Sequence, residues 1–145
     1  MIRKRIMAVD YGDVRTGLAI SDPMGILASG IGYISCGGMR NTAERVAKEA
    51  DERDVGTIVI GLPKNMNGSE GERAAVVRAF AALLAPLTSA EIVFFDERLS
   101  TAAAHQLLNL TNTRGAKRKA RVDTLSAQII LQNYLDSPAC QKQSE

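Results

Sequence analysis

Three carboxylate residues lie at points of the sequence where predicted elements end or begin. Asp10 closes an apolar run, Glu97 follows a later apolar run, and Asp123 stands at the start of the last predicted helix. Two carboxylates about 4 Å apart repel each other by roughly 1–4 kcal/mol, so they converge stably only around a cation or a shared proton. Because no cluster of His or Cys accompanies them, an all-oxygen site for Mg²⁺ or Mn²⁺ is favoured over a zinc site. Two such ions can support phosphodiester cleavage, which is the chemistry that this set predicts.

Each of these acids also has a simpler explanation when it is taken alone. An aspartate such as Asp10 at a strand end commonly forms a turn, and Asp123 could stabilise the start of a helix through the helix dipole. Glu97 could pair with a neighbouring arginine in solvent. Asp96 precedes Glu97 in the sequence, and adjacent residues of an extended chain point to opposite sides, so at most one of the two faces the site. The joint placement of the three acids favours the site over the separate explanations.

The elements that must position these acids follow from hydrophobic periodicity. Short connections between the first three strands favour an antiparallel meander, whereas helices between the later strands favour parallel pairing. The predicted strands cover residues 5–10, 16–21, 28–35, 57–61 and 91–95, and the predicted helices cover 42–53, 70–85, 101–110 and 122–135. We therefore predict an α/β fold with a mixed five-stranded sheet and helices on both faces. Its parallel strands should end at one edge, where open α/β sheets bind ligands.

Length and composition predict a single domain. The chain has 145 residues, of which 46% are hydrophobic and 23% charged, as in an ordinary globular protein. We expect one domain over residues 1–138 and a polar tail over 139–145. Cys36 and Cys140 form no metal or disulfide pattern, and no segment resembles a signal peptide or a membrane span. A cytoplasmic location and no membrane partner are expected.

The basic residues are unevenly distributed. Five of the 18 Lys and Arg residues lie between positions 111 and 121 without an acid, which leaves 13 basic and 16 acidic residues elsewhere. They are Arg114, Lys117, Arg118, Lys119 and Arg121. We predict a basic loop before the last helix that contacts phosphates, assisted by Arg15 beside the first turn. The alternatives are a solvated charge run and an ion pair between Arg15 and Asp13.

Two further features allow a structural or a binding interpretation. Tyr11 could stack on a base or simply pack in the turn, and the segment 61–68 could form a mobile rim or an ordinary strand-to-helix loop. Aromatic residues make up only 4% of the chain and Trp is absent. This composition argues against a broad base-stacking platform and favours recognition of phosphates and shape.

Four separated motifs carry a resemblance to a known family. They are Asp10-Tyr11-Gly12-x-x-Arg15-x-Gly17-x-Ala19-x-Ser21-Asp22, Gly61-Leu62-Pro63 with Gly68, Asp96-Glu97-Arg98-Leu99-Ser100-Thr101, and Val122-Asp123 before a helix with Ala127 and Ile130-Leu131. In this order they resemble the YqgF family, also called RuvX, over nearly the whole chain. The resemblance implies a ribonuclease H-like fold and assigns the catalytic, metal-binding acids to Asp10, Glu97 and Asp123.

The resemblance also implies a function, with alternatives. It implies a bacterial cytoplasmic nuclease that uses a divalent metal and matures the 5′ end of pre-16S ribosomal RNA. Cleavage of Holliday junctions is an older assignment, by similarity to RuvC-type resolvases. The expected partners are pre-rRNA or branched DNA, and ribosome assembly intermediates. A junction resolvase requires a symmetric dimer, whereas a monomer would favour RNA processing, so monomer and homodimer both stay open.

Two other classes of protein fit part of the sequence. The Asp-x-Gly turn is similar to the first phosphate-binding turn of sugar kinases and actin-like ATPases, but those enzymes enclose the nucleotide between two such domains. A non-catalytic nucleic-acid-binding factor in ribosome assembly or transcription could retain the fold without cutting. Binding of ATP would favour the first class, and a cellular role that survives a change at Asp10 would favour the second.

Overall fold

A single mixed sheet forms the centre of the protein. A computed structural model describes residues 4–35, 37–96 and 115–137, with side chains in the last helix described from residue 125 on. The strands are β1 (Arg5–Asp10), β2 (Thr16–Ser21), β3 (Ala28–Ile34), β4 (Val55–Leu62) and β5 (Glu91–Asp96), and the helices are α1 (Met39–Glu52), α2 (Glu72–Leu84) and α3 (Gly115–Leu135). A short 3₁₀ turn, Ala85–Leu87, follows α2.

The sheet has the predicted topology. Its strand order is β3-β2-β1-β4-β5, with β1–β2 and β2–β3 antiparallel and β1–β4 and β4–β5 parallel. The predicted meander and the three predicted parallel strands are therefore confirmed. The strands β1, β4 and β5 end together at one edge of the sheet, at Asp10, Leu62 and Asp96, and this edge is called the carboxyl edge below.

Helices cover both faces of the sheet, as predicted. On one face, Met7 and Val9 of β1 pack with Ile58 and Ile60 of β4 against α1 and α2, and Phe80 lies fully buried in that core. The opposite face packs against α3. Its buried residues are Ala8, Ala19, Ala28, Val59, Ala127, Ile130, Leu131, Tyr134 and Leu135. Three alanines on the strands of this face leave room for the helix to pack closely on the sheet.

The carboxyl-terminal half of α3 is attached to the edge opposite the carboxyl edge. The Gln132 side chain accepts a hydrogen bond from the Ala28 amide at 3.0 Å, and Gln128 donates to the Ala28 carbonyl at 3.3 Å. Ala28 pairs with Ser21, whose hydroxyl accepts a bond from the Ile6 amide at the start of β1. Because this half of α3 lies beside the start of β1, the earlier turns of the helix lie farther toward the carboxyl edge.

The last helix begins earlier than the sequence predicted. It starts at Gly115 rather than at Val122, so Lys117, Arg118 and Lys119 belong to its first turns and not to a loop. Lys, Arg and Ala are good helix formers, and no proline interrupts residues 115–122, so the basic run continues the helix in the amino-terminal direction. The prediction of a basic loop was therefore wrong for these residues.

The other boundaries differ by a few residues. Helices α1 and α2 are preceded by Gly38 and Gly71, and neither has a side-chain cap. The predicted helix over 101–110 and the tail over 139–145 lie outside the described residues, and the domain boundary stays a prediction. In the part of the chain that is described, no helix is both long and apolar enough to cross a membrane.

Candidate active site at the carboxyl edge

Asp10 lies at the carboxyl edge on the side covered by α3. It is half-buried, ends the central strand β1 and pairs with Gly17 of β2. Side chains alternate along β1, with Val9 in the core of α1 and α2 and Ala8 in the core of α3. Asp10 therefore shares the face of Ala8, which is the face that α3 approaches from its amino-terminal half.

Asp96 lies at the same edge but on the opposite face. It pairs with Leu62 at the end of β4. Ile92 and Phe94 pack with the core of α1 and α2, whereas Phe95 packs with the core of α3. The same alternation places Asp96 with Phe94, away from Asp10. Of the two neighbouring acids, Glu97 thus stays the candidate for the site, and it lies outside the described residues.

Asp123 belongs to α3 at a position one helical turn before Ala127, a buried residue of the core beneath that helix. It precedes Gln128 by about 7.5 Å of helix rise, in the direction of the carboxyl edge. Among the described side chains, no three His, Cys, Asp or Glu residues form a group that could hold a metal. Of the three predicted ligands, only the Asp10 side chain is among them, so the convergence of the triad stays a prediction.

The turn after Asp10 requires glycine. A Cβ atom on Gly12 would overlap the carbonyl oxygen of Arg15, so no other residue fits without movement of the backbone. The buried Thr16 hydroxyl closes the turn, because it lies 3.4 Å from both the amide and the carbonyl of Gly12. The turn thereby fixes where β1 ends and where Asp10 stands.

Arg73 of α2 holds this turn in place, and the sequence analysis did not identify it. Its guanidinium donates to the Tyr11 carbonyl at 2.7 Å and to the Asp13 carboxylate at 2.9 Å. Asp13 therefore pairs with Arg73 rather than with Arg15. Because Arg73 and Asp13 are 60 residues apart, no local sequence pattern connects them. The sequence shows only that an arginine lies in the first turn of the helix after β4.

Tyr11 is a packing residue. It is buried, and its ring stacks on Phe80 with a centroid distance of 4.4 Å and an angle of 25°. The guanidinium of Arg73 lies 5.5 Å from the centroid of the same ring. Burial raises the pKa of the Tyr11 phenol, the charge of Asp13 raises it further, and the charge of Arg73 opposes both. The packing interpretation of Tyr11 is thus confirmed over base stacking.

The predicted phosphate contacts lie in different parts of the molecule. Arg15 is half-buried directly before β2, and its guanidinium lies 5.6 Å from the ring centroid of Tyr33. Lys117, Arg118, Lys119 and Arg121 belong to the first turns of α3, and Arg114 lies outside the described residues. Their contact with nucleic acid stays a prediction.

The segment between β4 and α2 is an ordered turn at the carboxyl edge. The Asn65 amide donates to the Ser69 carbonyl at 2.8 Å, and the Asn67 side chain accepts bonds from the Ser69 amide and hydroxyl at 3.0 and 2.6 Å. Gly68 adopts a φ of +87°, which favours glycine. These bonds support the interpretation as an ordinary strand-to-helix loop.

Comparison with known proteins decides the family. A family model described as RuvX, Holliday junction resolvase, matches residues 4–137. The chain belongs to the RuvX family. A relative from Ruminiclostridium cellulolyticum, named "Putative pre-16S rRNA nuclease", is 43% identical over 141 residues, which are 97% of this chain and 99% of that protein. A relative of the same name from Clostridioides difficile is 43% identical over 94% of this chain and 96% of its own length.

A solved structure confirms the fold expected for a RuvX protein. The fowlpox virus Holliday junction resolvase matches with a TM-score of 0.55 over 91% of this chain and 97% of its own. At 12% sequence identity, this likeness concerns the fold alone. The ribonuclease H-like fold that the motifs implied for this RuvX chain is therefore confirmed.

Replacement of Arg73 by Met should loosen the turn that carries Asp10 in this RuvX protein. It removes a charge-assisted bond to a half-buried carbonyl, so we expect a loss of about 1–3 kcal/mol in the free energy of unfolding, measured by urea denaturation. Arg40→Met on α1 is the control, because Arg40 pairs with Glu44 at 3.5 Å on the surface and such exposed pairs contribute little. Equal losses in both variants would contradict the role of Arg73.

The Tyr11 phenol should make the fold sensitive to alkaline pH. Because its pKa in the folded state is raised above the ordinary value of 10.0, its contribution to stability is complete below pH 10 and is lost as the pH rises through the folded-state pKa. Tyr11→Phe keeps the stack on Phe80 and removes the ionisation. We expect equal unfolding midpoints at pH 8 and a smaller loss in Tyr11→Phe between pH 10 and 11; parallel curves would refute this.

Proposed function

We propose that this protein is a metal-dependent nuclease that hydrolyses phosphodiester bonds in the maturation of the 5′ end of pre-16S ribosomal RNA. The observation that carries the proposal is Asp10, a half-buried carboxylate at the end of the central strand, on the face covered by α3. Relatives of nearly the same length and 43% identity bear the name of a pre-16S rRNA nuclease, which supports the choice of substrate.

The proposed metal ligands are Asp10, Glu97 and Asp123. Asp10 fits a hard divalent cation, because it presents carboxylate oxygens at a sheet edge toward the helix that contains Asp123. Oxygen donors of this kind suit Mg²⁺ or Mn²⁺. When bound, such ions lower the pKa of water and stabilise the leaving oxygen. The three acids would share the positive charge, which offsets their mutual repulsion.

The first turns of α3 supply the proposed phosphate contacts. The helix dipole disfavours cations at this end, yet Lys117, Arg118 and Lys119 lie there and the first turn contains no acid. An anion that binds at this end would be favoured by the side-chain charges and by the free amide groups of the helix. We infer that the phosphate backbone of the substrate passes this end of α3, with Arg15 contacting it from the other side of the carboxyl edge.

Holliday junction cleavage is the second candidate, because the family model bears that description. A junction has two-fold symmetry, so its paired cutting would require two copies of the active site. A factor that binds nucleic acid without cutting is the remaining alternative. Binding of ATP by this chain would instead favour the kinase-like class.

Replacement of Asp10 by Asn should abolish cutting and leave the fold intact. The change removes a full charge from the proposed metal site, and we expect at least a 100-fold loss of cleavage of a pre-16S rRNA fragment with Mg²⁺ or Mn²⁺. Asp96→Asn is the matched control, since it removes a carboxylate from the same edge but on the opposite face. It should retain most of the activity.

A four-way DNA junction is tested beside the RNA in the same assay. Metal-dependent cutting of the RNA alone supports the proposal. Symmetric cutting of the junction alone would instead support the resolvase function. Binding without cutting, unchanged in Asp10→Asn, would favour the non-catalytic factor, and unfolding of Asp10→Asn at ordinary temperature would give the residue a structural role.

Neutralisation of the basic run on α3 should weaken nucleic-acid binding in a salt-dependent way. If Lys117, Arg118 and Lys119 each contact one phosphate, their joint replacement by Gln lowers the slope of log K against log salt by about 2. Three exposed basic residues of α1, namely Arg40, Arg45 and Lys48, provide a control variant with the same change in net charge. Equal slopes in both variants would remove α3 from the proposed interface.

A further inference from the structure

Three residues form a row across the sheet at the carboxyl edge. Asp10 of β1 pairs with Gly17 of β2, and Gly17 pairs in turn with Tyr33 of β3. Paired residues of neighbouring antiparallel strands have Cα atoms about 5 Å apart, so the backbone of Tyr33 lies about 10 Å from that of Asp10. Gly17 contributes no side chain between them.

The side chains of Asp10 and Tyr33 lie on the same face. Leu18 and Ile34 belong to the core of α1 and α2, so their neighbours Gly17 and Tyr33 belong to the opposite face. A bulge at Ile31 shifts the register between β2 and β3, and without it Tyr33 would point into the other core. The bulge thus brings an aromatic ring to the face that carries Asp10.

Tyr33 remains 46% exposed although Arg15 lies over its ring. Tyr11 at this edge is 8% exposed and stacks on Phe80, and Phe94 and Phe95 near the end of β5 are partly buried in the two cores. Of the aromatic side chains described near the carboxyl edge, Tyr33 is therefore the most exposed. The Arg15 guanidinium contacts one face of the Tyr33 ring, and a guanidinium is also suited to bind a phosphate.

We propose that Tyr33 and Arg15 form a subsite for an unpaired nucleotide next to the bond that is cut. The ring of Tyr33 stacks on the base, and Arg15 contacts the adjoining phosphate. At about 3.4 Å per stacked nucleotide, the distance of about 10 Å from Asp10 corresponds to a position within three nucleotides of the cleaved bond. This subsite rests on the proposed nuclease function, and it adds that the substrate is single-stranded beside the cut.

The contribution of the stack is separable from that of the charges. Stacking of one base on an aromatic side chain contributes about 1–3 kcal/mol without displacing counterions, whereas a phosphate contact gives a salt-dependent term. Loss of the ring should therefore weaken binding equally at all salt concentrations. Loss of Arg15 should also flatten the salt dependence, by a slope of about 0.7 for a single strand.

The test measures binding of a 12-nucleotide single-stranded RNA by fluorescence anisotropy at several salt concentrations. All variants carry Asp10→Asn, which prevents cutting. Tyr33→Ala should weaken binding about 5- to 150-fold with an unchanged salt slope, and Tyr33→Phe should bind within about twofold of the protein that carries Asp10→Asn alone. Leu27→Ala is the control, because Leu27 is 63% exposed at the other end of the same hairpin.

A second measurement locates the base. RNAs that carry 2-aminopurine at one position each should show fluorescence quenching at a single position within three nucleotides of the cleaved bond. The quenching should be lost in Tyr33→Ala and retained in Tyr33→Phe.

Three outcomes would contradict the subsite. If the Asp10→Asn protein binds the RNA and the wild-type protein cuts it, but Tyr33→Ala changes neither affinity nor quenching, the subsite is wrong and the nuclease function stands. If the chain binds no single-stranded RNA, the proposed function fails together with the subsite. A lower unfolding midpoint in Tyr33→Ala with unchanged affinity would make Tyr33 structural and overturn the proposal.

Discussion

Burial of strand β1 on both faces is the constraint on which the rest of the structure depends. Met7, Ala8 and Val9 have no exposed surface, and alternate residues belong to two separate cores. A shift of this strand by one residue would exchange the two sets of side chains and place Asp10 on the wrong face. The position of the proposed catalytic carboxylate is therefore fixed by the packing of both sides of the sheet, before any metal or substrate binds.

The charged groups near the carboxyl edge form two sets, one that holds the turn after Asp10 and one on the first turns of α3. Arg73 neutralises Asp13 and binds the Tyr11 carbonyl, so the turn beside the site is held by charge as well as by packing. The first turn of α3 contains no acid, and the proposed phosphate contacts belong to these turns. Acidic residues would thus hold cations at the reacting bond while basic residues hold the flanking phosphates, which is the division of charge that a polyanionic substrate requires.

Local patterns predicted most of the fold, including the position of Asp10 at the end of β1, whereas the site itself stays a prediction. The five strands, their directions and the two covered faces followed from periodicity and connection length, which are properties of short segments. The role of Arg73 could not be predicted, because its partners lie about 60 residues away. The start of α3 was misplaced since a run of Lys and Arg was treated as a loop, although these residues favour helices. The bulge that turns Tyr33 outward depends on pairing between strands and has no signature in either strand alone.

The attachment of α3 has a consequence for the order in which the protein is made. Gln132 binds Ala28 across 104 residues, whereas none of the α3 side chains described from residue 125 on belongs to the core of α1 and α2. On the ribosome, one side of the sheet can therefore pack while the alanine-rich side still awaits its helix. At 5–20 residues per second, synthesis from Asp96 to Leu135 takes roughly 2–8 s. For that interval the nascent chain contains Asp10 and the alanine-rich face of the sheet but lacks the helix that covers them.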